Sequence, residues 1–503
     1  MTNNIIKYFE KGIYTEEQTY EYIKDLNNCE IIISQLNFYK LSKIHQKKIY
    51  PFIKRDQHLK DLSLPFLLDI NATKDQYLLT ELEMKYYQNK IDDFFNDNNN
   101  LENYYLDPYN LTRFGYINNL NNISKVTNCV PINHDFKYIK YHNTIQKLGF
   151  YILPKNVSPG FKNFRRIVHT LKNYFNISLF VDNLENELDS DDKKFFEGVD
   201  IHYIANMQNY ELADYIYSKQ LTILICIYGF YKRKSTITAK PAPIVISYQE
   251  PPVIYPKNCY DYNLIDINLY KTLKEYGNIN ENNFNFITLK KTFILPTPYY
   301  SDFINITEPI YDSNSIRIGL IANAPKISHE IIKLIKKIIK LNPNIIVTIY
   351  GYMNKEWINS LFDSSQVIHD IYDNTNPTNL LDNILYIDPV IINSHSTSLE
   401  ILKLKRPIIG YYNPERYLGS FSHSIITALN MQKYLLADNI NDYVKLVKLY
   451  TYNADVYYSF YKKFKKKLKQ FPITSDQYYV DDFVETLNSF YNNYYEEKIK
   501  NII

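Results

Sequence analysis

The stretch from Ile391 to Glu415, I-I-N-S-H-S-T-S-L-E-I-L-K-L-K-R-P-I-I-G-Y-Y-N-P-E, decides how the chain is read. Two apolar runs flank a short polar turn and a helix. Tyr386 to Ile392 reads as a buried strand, and Pro407 to Tyr412 as the next one. Between them, Leu399, Ile401, Leu402 and Leu404 have the spacing of a short amphipathic helix that needs packing to persist. The opening turn, Asn393-Ser394-His395-Ser396-Thr397-Ser398, consists of small or hydrogen-bonding side chains. A strand, a polar turn and a helix N-terminus form a natural anion site, because the first helical turn has free N–H groups and the positive end of the dipole. Thr397 and Glu400 also fit the S/T-x-x-E capping box, which needs no ligand. From these residues alone both readings stand.

Outward from this stretch, strand and helix patterns alternate. Upstream, Ile316 to Ile321 reads as a strand and Ser328 to Leu341 as a helix, with Ile331, Ile332, Leu334, Ile335, Ile338 and Ile339 on its apolar face. Ile345 to Tyr350 is the next strand. An earlier unit begins near residue 145, with strands at Leu148 to Leu153, Ile177 to Asp182, Leu221 to Tyr228 and Ile244 to Tyr248. Helices at Phe161 to Phe175 and Tyr210 to Lys219 separate them. Alternation at this spacing predicts α/β architecture with two parallel sheets, each covered by helices on both faces. Residues 1–140 read as a mainly helical N-terminal region. Residues 141–312 form one Rossmann-like half, residues 313–472 a second, and residues 473–503 a Tyr-rich C-terminal helix packing back across a domain. Ligands of open α/β sheets bind beyond the carboxyl ends of strands. Both Ala322–Lys326 and Asn393–His395 come directly after predicted strands.

Composition excludes several classes. The chain has 503 residues, enough for two or three domains. Its 57 basic and 54 acidic residues leave a net charge of +3, against a broad nucleic-acid footprint. The basic run Lys462 to Lys469 reads as a solvated helix face. Cys29, Cys129, Cys226 and Cys259 show no C-x-x-C spacing and are too few for a disulfide scaffold. No signal-peptide pattern opens the chain, and no apolar run approaches the roughly 18 residues of a membrane span. A cytoplasmic setting is expected. No D-x-D metal site stands out.

Asn393 to Glu400 resembles the N-G-H-T-T-G-x-D signature of the O-GlcNAc transferase-like glycosyltransferases, family 41. His395, Ser396 and Thr397 match its His-Thr-Thr, and Glu400 stands where that family has Asp. Arg406-Pro407, Glu415 and S-I-I-T-A-L at Ser424 to Leu429 resemble the family's downstream segment. Ser394 and Ser398 replace two glycines, which bears on how closely the backbone approaches a phosphate. Ala322-Asn323-Ala324-Pro325-Lys326 resembles the family loop whose Lys contacts the diphosphate. Lys240-Pro241-Ala242-Pro243 resembles its R-P-A-P, and Asp261-Tyr262 with Asp266 its D-Y-x-x-x-D. Val157 to Phe164 resembles V-S-x-D-F-x-N-H, but Gly160 replaces Asp and Phe164 replaces the active-site His. Phe cannot exchange a proton. His169 and His202 are the nearby histidines that could substitute.

The resemblance implies a GT-B fold, with two Rossmann-like domains facing a cleft. It further implies inverting transfer of N-acetylglucosamine or glucose from a UDP-sugar to a protein or peptide acceptor, without metal or other cofactor. Lys326 and His395 would be catalytic. Asn323, Lys326, His395, Ser396, Thr397 and Glu400 would hold the donor, with Glu400 on the ribose. The substitution at Phe164 keeps a second reading open, a nucleotide-sugar-binding pseudoenzyme or scaffold.

Overall fold

The computed structural model describes residues 136–152, 160–188, 190–227, 233, 236–248, 255, 257, 259–276, 284–290, 306–322, 326–351, 355–362, 364–372, 377–390, 393–394, 396–411, 421–471 and 476–500. The helical region expected over residues 1–140 therefore lies almost wholly outside the described residues, as do Asn323, His395 and Glu415.

The first half contains β1 (Leu148–Ile152), α1 (Gly160–Leu171), β2 (Ile177–Val181), α2 (Ser190–Phe195), β3 (Asp200–Tyr203) and α3 (Asn209–Ser218). It continues through β4 (Ile223–Ile227), β5 (Val245–Tyr248), β6 (Tyr262–Asp266), α4 (Ile267–Tyr276) and β7 (Phe286–Leu289). These strands form a parallel 7-stranded sheet in the order β3-β2-β1-β4-β5-β6-β7. Every residue of β1, β2, β4 and β5 is buried. Helices cover both faces of such a sheet, so its central strands are apolar throughout rather than alternating.

The second half contains β8 (Ile316–Ile321), α5 (His329–Ile339), β9 (Ile345–Tyr350), α6 (Lys355–Phe362), β10 (Val367–Asp370) and β11 (Leu385–Ile387). After these come α7 (Ser396–Lys403), β12 (Ile408–Tyr411), α8 (Phe421–Ala428), α9 (Gln432–Leu435) and β13 (Leu436–Ala437). Its parallel 6-stranded sheet runs β10-β9-β8-β11-β12-β13. The strand order reverses between β8 and β11, which opens a crevice at their carboxyl ends. β11 stops at Ile387, short of the expected Ile392. Asp388 N–H still donates to Ile409 O at 3.0 Å, but Pro389 has no N–H with which to extend the ladder.

Gly319 on β8 is fixed by its neighbour. A Cβ there would lie 2.6 Å from Tyr386 Cδ1 on β11. The Tyr386 ring cannot easily move, because its hydroxyl donates to Leu380 O at 2.7 Å and accepts from Asn383 Nδ2 at 3.1 Å.

The chain closes with α10 (Ile440–Tyr452), α11 (Ala454–Gln470) and α12 (Asp476–Lys500). The expected return across a domain is what α12 makes. Tyr479 meets Tyr248 of β5 through their hydroxyls, and Tyr491 donates to His142 O at 3.2 Å. The halves also touch where α4 packs on α8. Ser424 donates to Asp266 Oδ1 at 2.9 Å, and Thr272 Oγ1 lies 2.9 Å from His423 Nδ1.

Candidate functional site

The site is built at the reversal between β8 and β11. Lys326 comes after β8, and residues 388–394 come after β11. Because these strands are neighbours, two loops 68 residues apart meet, and Lys326 Nζ donates to Ser394 Oγ at 3.3 Å. Lys326 as a residue is half-buried, but its ammonium end is enclosed. That burial lowers its pKa, while the Asp388 carboxylate opposes the change.

Asp388 organises the turn from below. It is 0% exposed, and its Oδ1 accepts the Ser394 N–H at 2.8 Å. Its backbone is held by Tyr443 Oη, 2.7 Å from Asp388 N. Burial pushes the carboxyl up to about 6, against the pull of Lys326 and of hydrogen bonds from the turn. Asp388 Oδ2 and Ser422 Oγ are both buried and neither completes a hydrogen bond, although Ser422 is near enough to favour the carboxylate. Asp388 was not among the residues expected from sequence. Its only sequence signal is its position directly after a buried strand and five residues before the polar turn.

Helix α7 starts at Ser396, so Thr397 lies inside its first turn rather than at an N-cap. Ser398 Oγ turns back onto Ser394 O at 2.7 Å and closes the turn on itself. Asn393 is buried and ties the turn to Pro389 O at 2.9 Å. Glu400 does not complete a capping box. Its Oε2 accepts a hydrogen bond from the Tyr372 hydroxyl. Burial raises the Glu400 pKa, and the Tyr372 bond and Lys403 work against it. The structure thus brings Lys326 to Ser394, while Thr397 lies in the first turn of α7 and Glu400 further along that helix, held by Tyr372. It describes the backbone of Ser396, which opens that helix.

The other motifs have structural roles. Lys240 adopts a positive φ of 53° and pairs with Asp261 at 2.8 Å, so the K-P-A-P loop and the D-Y-x-x-x-D stretch grip each other. Asp261 Oδ2 also accepts the Val245 N–H at 2.7 Å, which sets the start of β5. Asp266 caps α4 through the Asn268 and Leu269 N–H groups, both at 2.9 Å, and receives Ser424 from the other half.

Phe164 is 2% exposed and packs edge-on against Phe150, with ring centroids 5.1 Å apart. The two nearby histidines have partners of their own. His169 is exposed, with Nδ1 3.0 Å from Phe195 O. His202 has both ring nitrogens engaged, by Asp200 at 3.1 Å and Tyr215 at 3.0 Å. Among the described residues, no group of three or more His, Cys, Asp or Glu side chains could hold a metal ion, and no helix is long and apolar enough to cross a membrane.

No family model and no curated protein matches the sequence. Among solved structures, the chain is similar to a point mutant of the O-GlcNAc transferase of Thermobaculum terrenum, with a TM-score of 0.66 at 10% identity. That alignment covers 96% of this chain and 94% of the other. The fold is GT-B. Weaker likenesses include HepE of Anabaena in complex with UDP and glucose, with a TM-score of 0.47 at 9% identity over 68% of this chain and 100% of that one. A glycosyltransferase of Rickettsia africae ESF-5 gives 0.47 at 11% identity, over 69% of this chain and 98% of that one.

Proposed function

We propose that the protein is a glycosyltransferase that moves N-acetylglucosamine or glucose from a UDP-sugar to a protein side chain, with inversion and without a metal ion. One observation carries this reading: the Lys326 ammonium meets the turn before α7, 3.3 Å from Ser394, at the strand-order reversal of the second sheet. A leaving diphosphate there would face a lysine and free helix N–H groups together. His395, Ser396 and Thr397 would share the diphosphate, with Asn323 beside Lys326 and Glu400 on the ribose.

The buried Phe164 supports the second reading, a nucleotide-sugar-binding pseudoenzyme or scaffold. It replaces the expected proton-transfer residue with a core side chain, so acceptor activation would fall to another base or to water.

The test is melting temperature with UDP, GDP, UDP-glucose and UDP-N-acetylglucosamine in excess chelator, then UDP release with and without lysate proteins. A ligand binding only the native state stabilises it by about 2.7 kcal/mol at a hundredfold excess over Kd. Stabilisation by UDP that survives chelation, with sugar-dependent UDP release, is the expected result. Binding without release favours the scaffold. Binding only after manganese is restored removes the metal-free mechanism.

A further inference from the structure

We infer that Tyr372 is a positioning residue for the nucleoside part of the donor: its hydroxyl holds the Glu400 carboxylate in the orientation that selects a ribose over a deoxyribose. This inference rests on the reading of Glu400 proposed above.

Tyr372 lies beyond the end of β10, at the opposite edge of the second sheet from β13. Its stretch of backbone is pinned at the base. Asp370 Oδ1 accepts the Ile371 N–H at 2.8 Å, and Asn379 Nδ2 donates to Asp370 Oδ2 at 2.9 Å. Asn379 O in turn accepts from Tyr350 Oη at 3.0 Å, which connects this corner to β9. From there the Tyr372 hydroxyl reaches Glu400 on α7, 28 residues later.

A glutamate has one more side-chain torsion than an aspartate, so a carboxylate on Glu400 needs an outside partner to hold one orientation. Tyr372 supplies it with a charge-assisted O–H···O bond, among the stronger hydrogen bonds available to a side chain. Each carboxylate oxygen can accept more than one hydrogen bond, so holding Oε2 leaves acceptor capacity for sugar hydroxyls. The bond also favours the ionised carboxylate that burial disfavours, and that form accepts hydrogen bonds without donating any. Lys403, one turn further along α7, adds to the same effect.

The experiment is calorimetric titration of the full chain with UDP, 2′-deoxy-UDP and 3′-deoxy-UDP, for wild type, Glu400→Gln and Tyr372→Phe. A hydrogen bond to a charged group corresponds to roughly tenfold in affinity or more. Wild type should therefore prefer UDP over at least one deoxy analogue by about tenfold. Glu400→Gln should lose most of that preference. Tyr372→Phe, which keeps the ring and its packing, should reduce it to about two- to threefold. A purely structural Tyr372 would leave the ratio of affinities intact, whatever its effect on stability.

If Tyr372→Phe keeps the wild-type ratio while Glu400→Gln loses it, the inference falls and the ribose role of Glu400 stands. If wild type binds UDP without preferring it to either analogue, the ribose role and the inference fall, while the diphosphate site stands. If UDP does not bind at all, the donor reading falls and takes the inference with it.

Discussion

Replacing Asp388 by Asn should make the protein more stable and its nucleotide site worse. Burial holds the Asp388 carboxyl at about 6, against an ordinary value of 3.8. Between those values the folded state keeps a proton that the unfolded chain has released. Stability therefore falls as pH rises through this window and levels off above it. A difference of about two pH units, at about 1.4 kcal/mol each, corresponds to roughly 3 kcal/mol lost by neutral pH. Roughly half of it, about 1.4 kcal/mol, is lost between pH 5 and pH 8.

Asp388→Asn keeps the acceptor for the Ser394 N–H and cannot ionise. Its amide nitrogen has an acceptor to meet in Ser422 Oγ, which completes no hydrogen bond in the wild type. The variant's stability advantage should thus grow by about 1.4 kcal/mol from pH 5 to pH 8. Urea unfolding of both proteins at the two pH values, at one salt concentration, measures this. A difference that stays flat, or that shrinks toward pH 8, would refute the reasoning, because it would mean that the buried carboxylate is held at or below its ordinary range. The functional half has its own readout. Removing the carboxylate lets burial depress Lys326 further, so UDP affinity should fall more steeply between pH 7 and pH 9 in the variant than in wild type. Parallel pH profiles would separate Asp388 from Lys326.

Substitutions at two further positions have defined outcomes. Lys326→Ala should reduce turnover by about 10²-fold or more, and by a larger factor than it reduces UDP-sugar affinity, because charge on the leaving diphosphate grows toward the transition state. Lys326→Arg should rescue it only partly, and steady-state kinetics beside calorimetry decide. Gly319→Ala should destabilise the second sheet by about 1–3 kcal/mol, since the added methyl meets the pinned Tyr386 ring. An unchanged melting curve would show that the β8–β11 contact has slack.

The central strands were legible because strands buried on both faces leave continuous apolar runs. Ile316–Ile321 and Ile345–Tyr350 carry the expected bounds. The edge strands were not. Asp200–Tyr203 and Val367–Asp370 are short, partly exposed and partly polar, so they leave no run to read. At the site, Lys326 and the Ser394–Glu400 turn could be picked out because each comes after a strand and precedes a helix. Asp388 and Tyr372 could not, because their roles exist only once β8 and β11 are neighbours and the β10 corner faces α7. Thr397 and Glu400 have capping-box spacing, but the helix begins two residues too early for it and Tyr372 claims the carboxylate.

Helix α12 has a consequence for the way the molecule is assembled. Tyr248 and Tyr479 are partners across 231 residues of chain, and His142 and Tyr491 across 349. A ribosome must therefore finish the whole second half before the first half receives its last layer. Until then the side of the first sheet around Tyr248 stays uncovered, which is the kind of exposed apolar surface that chaperones hold and that aggregates capture. Contacts of such long range also slow folding, because the closure entropy of a long loop comes before any contact rewards it. The two halves are thus not separable modules. Cutting the chain between residues 290 and 306 would give a first fragment without its lid and a second with a Tyr-lined helix facing water.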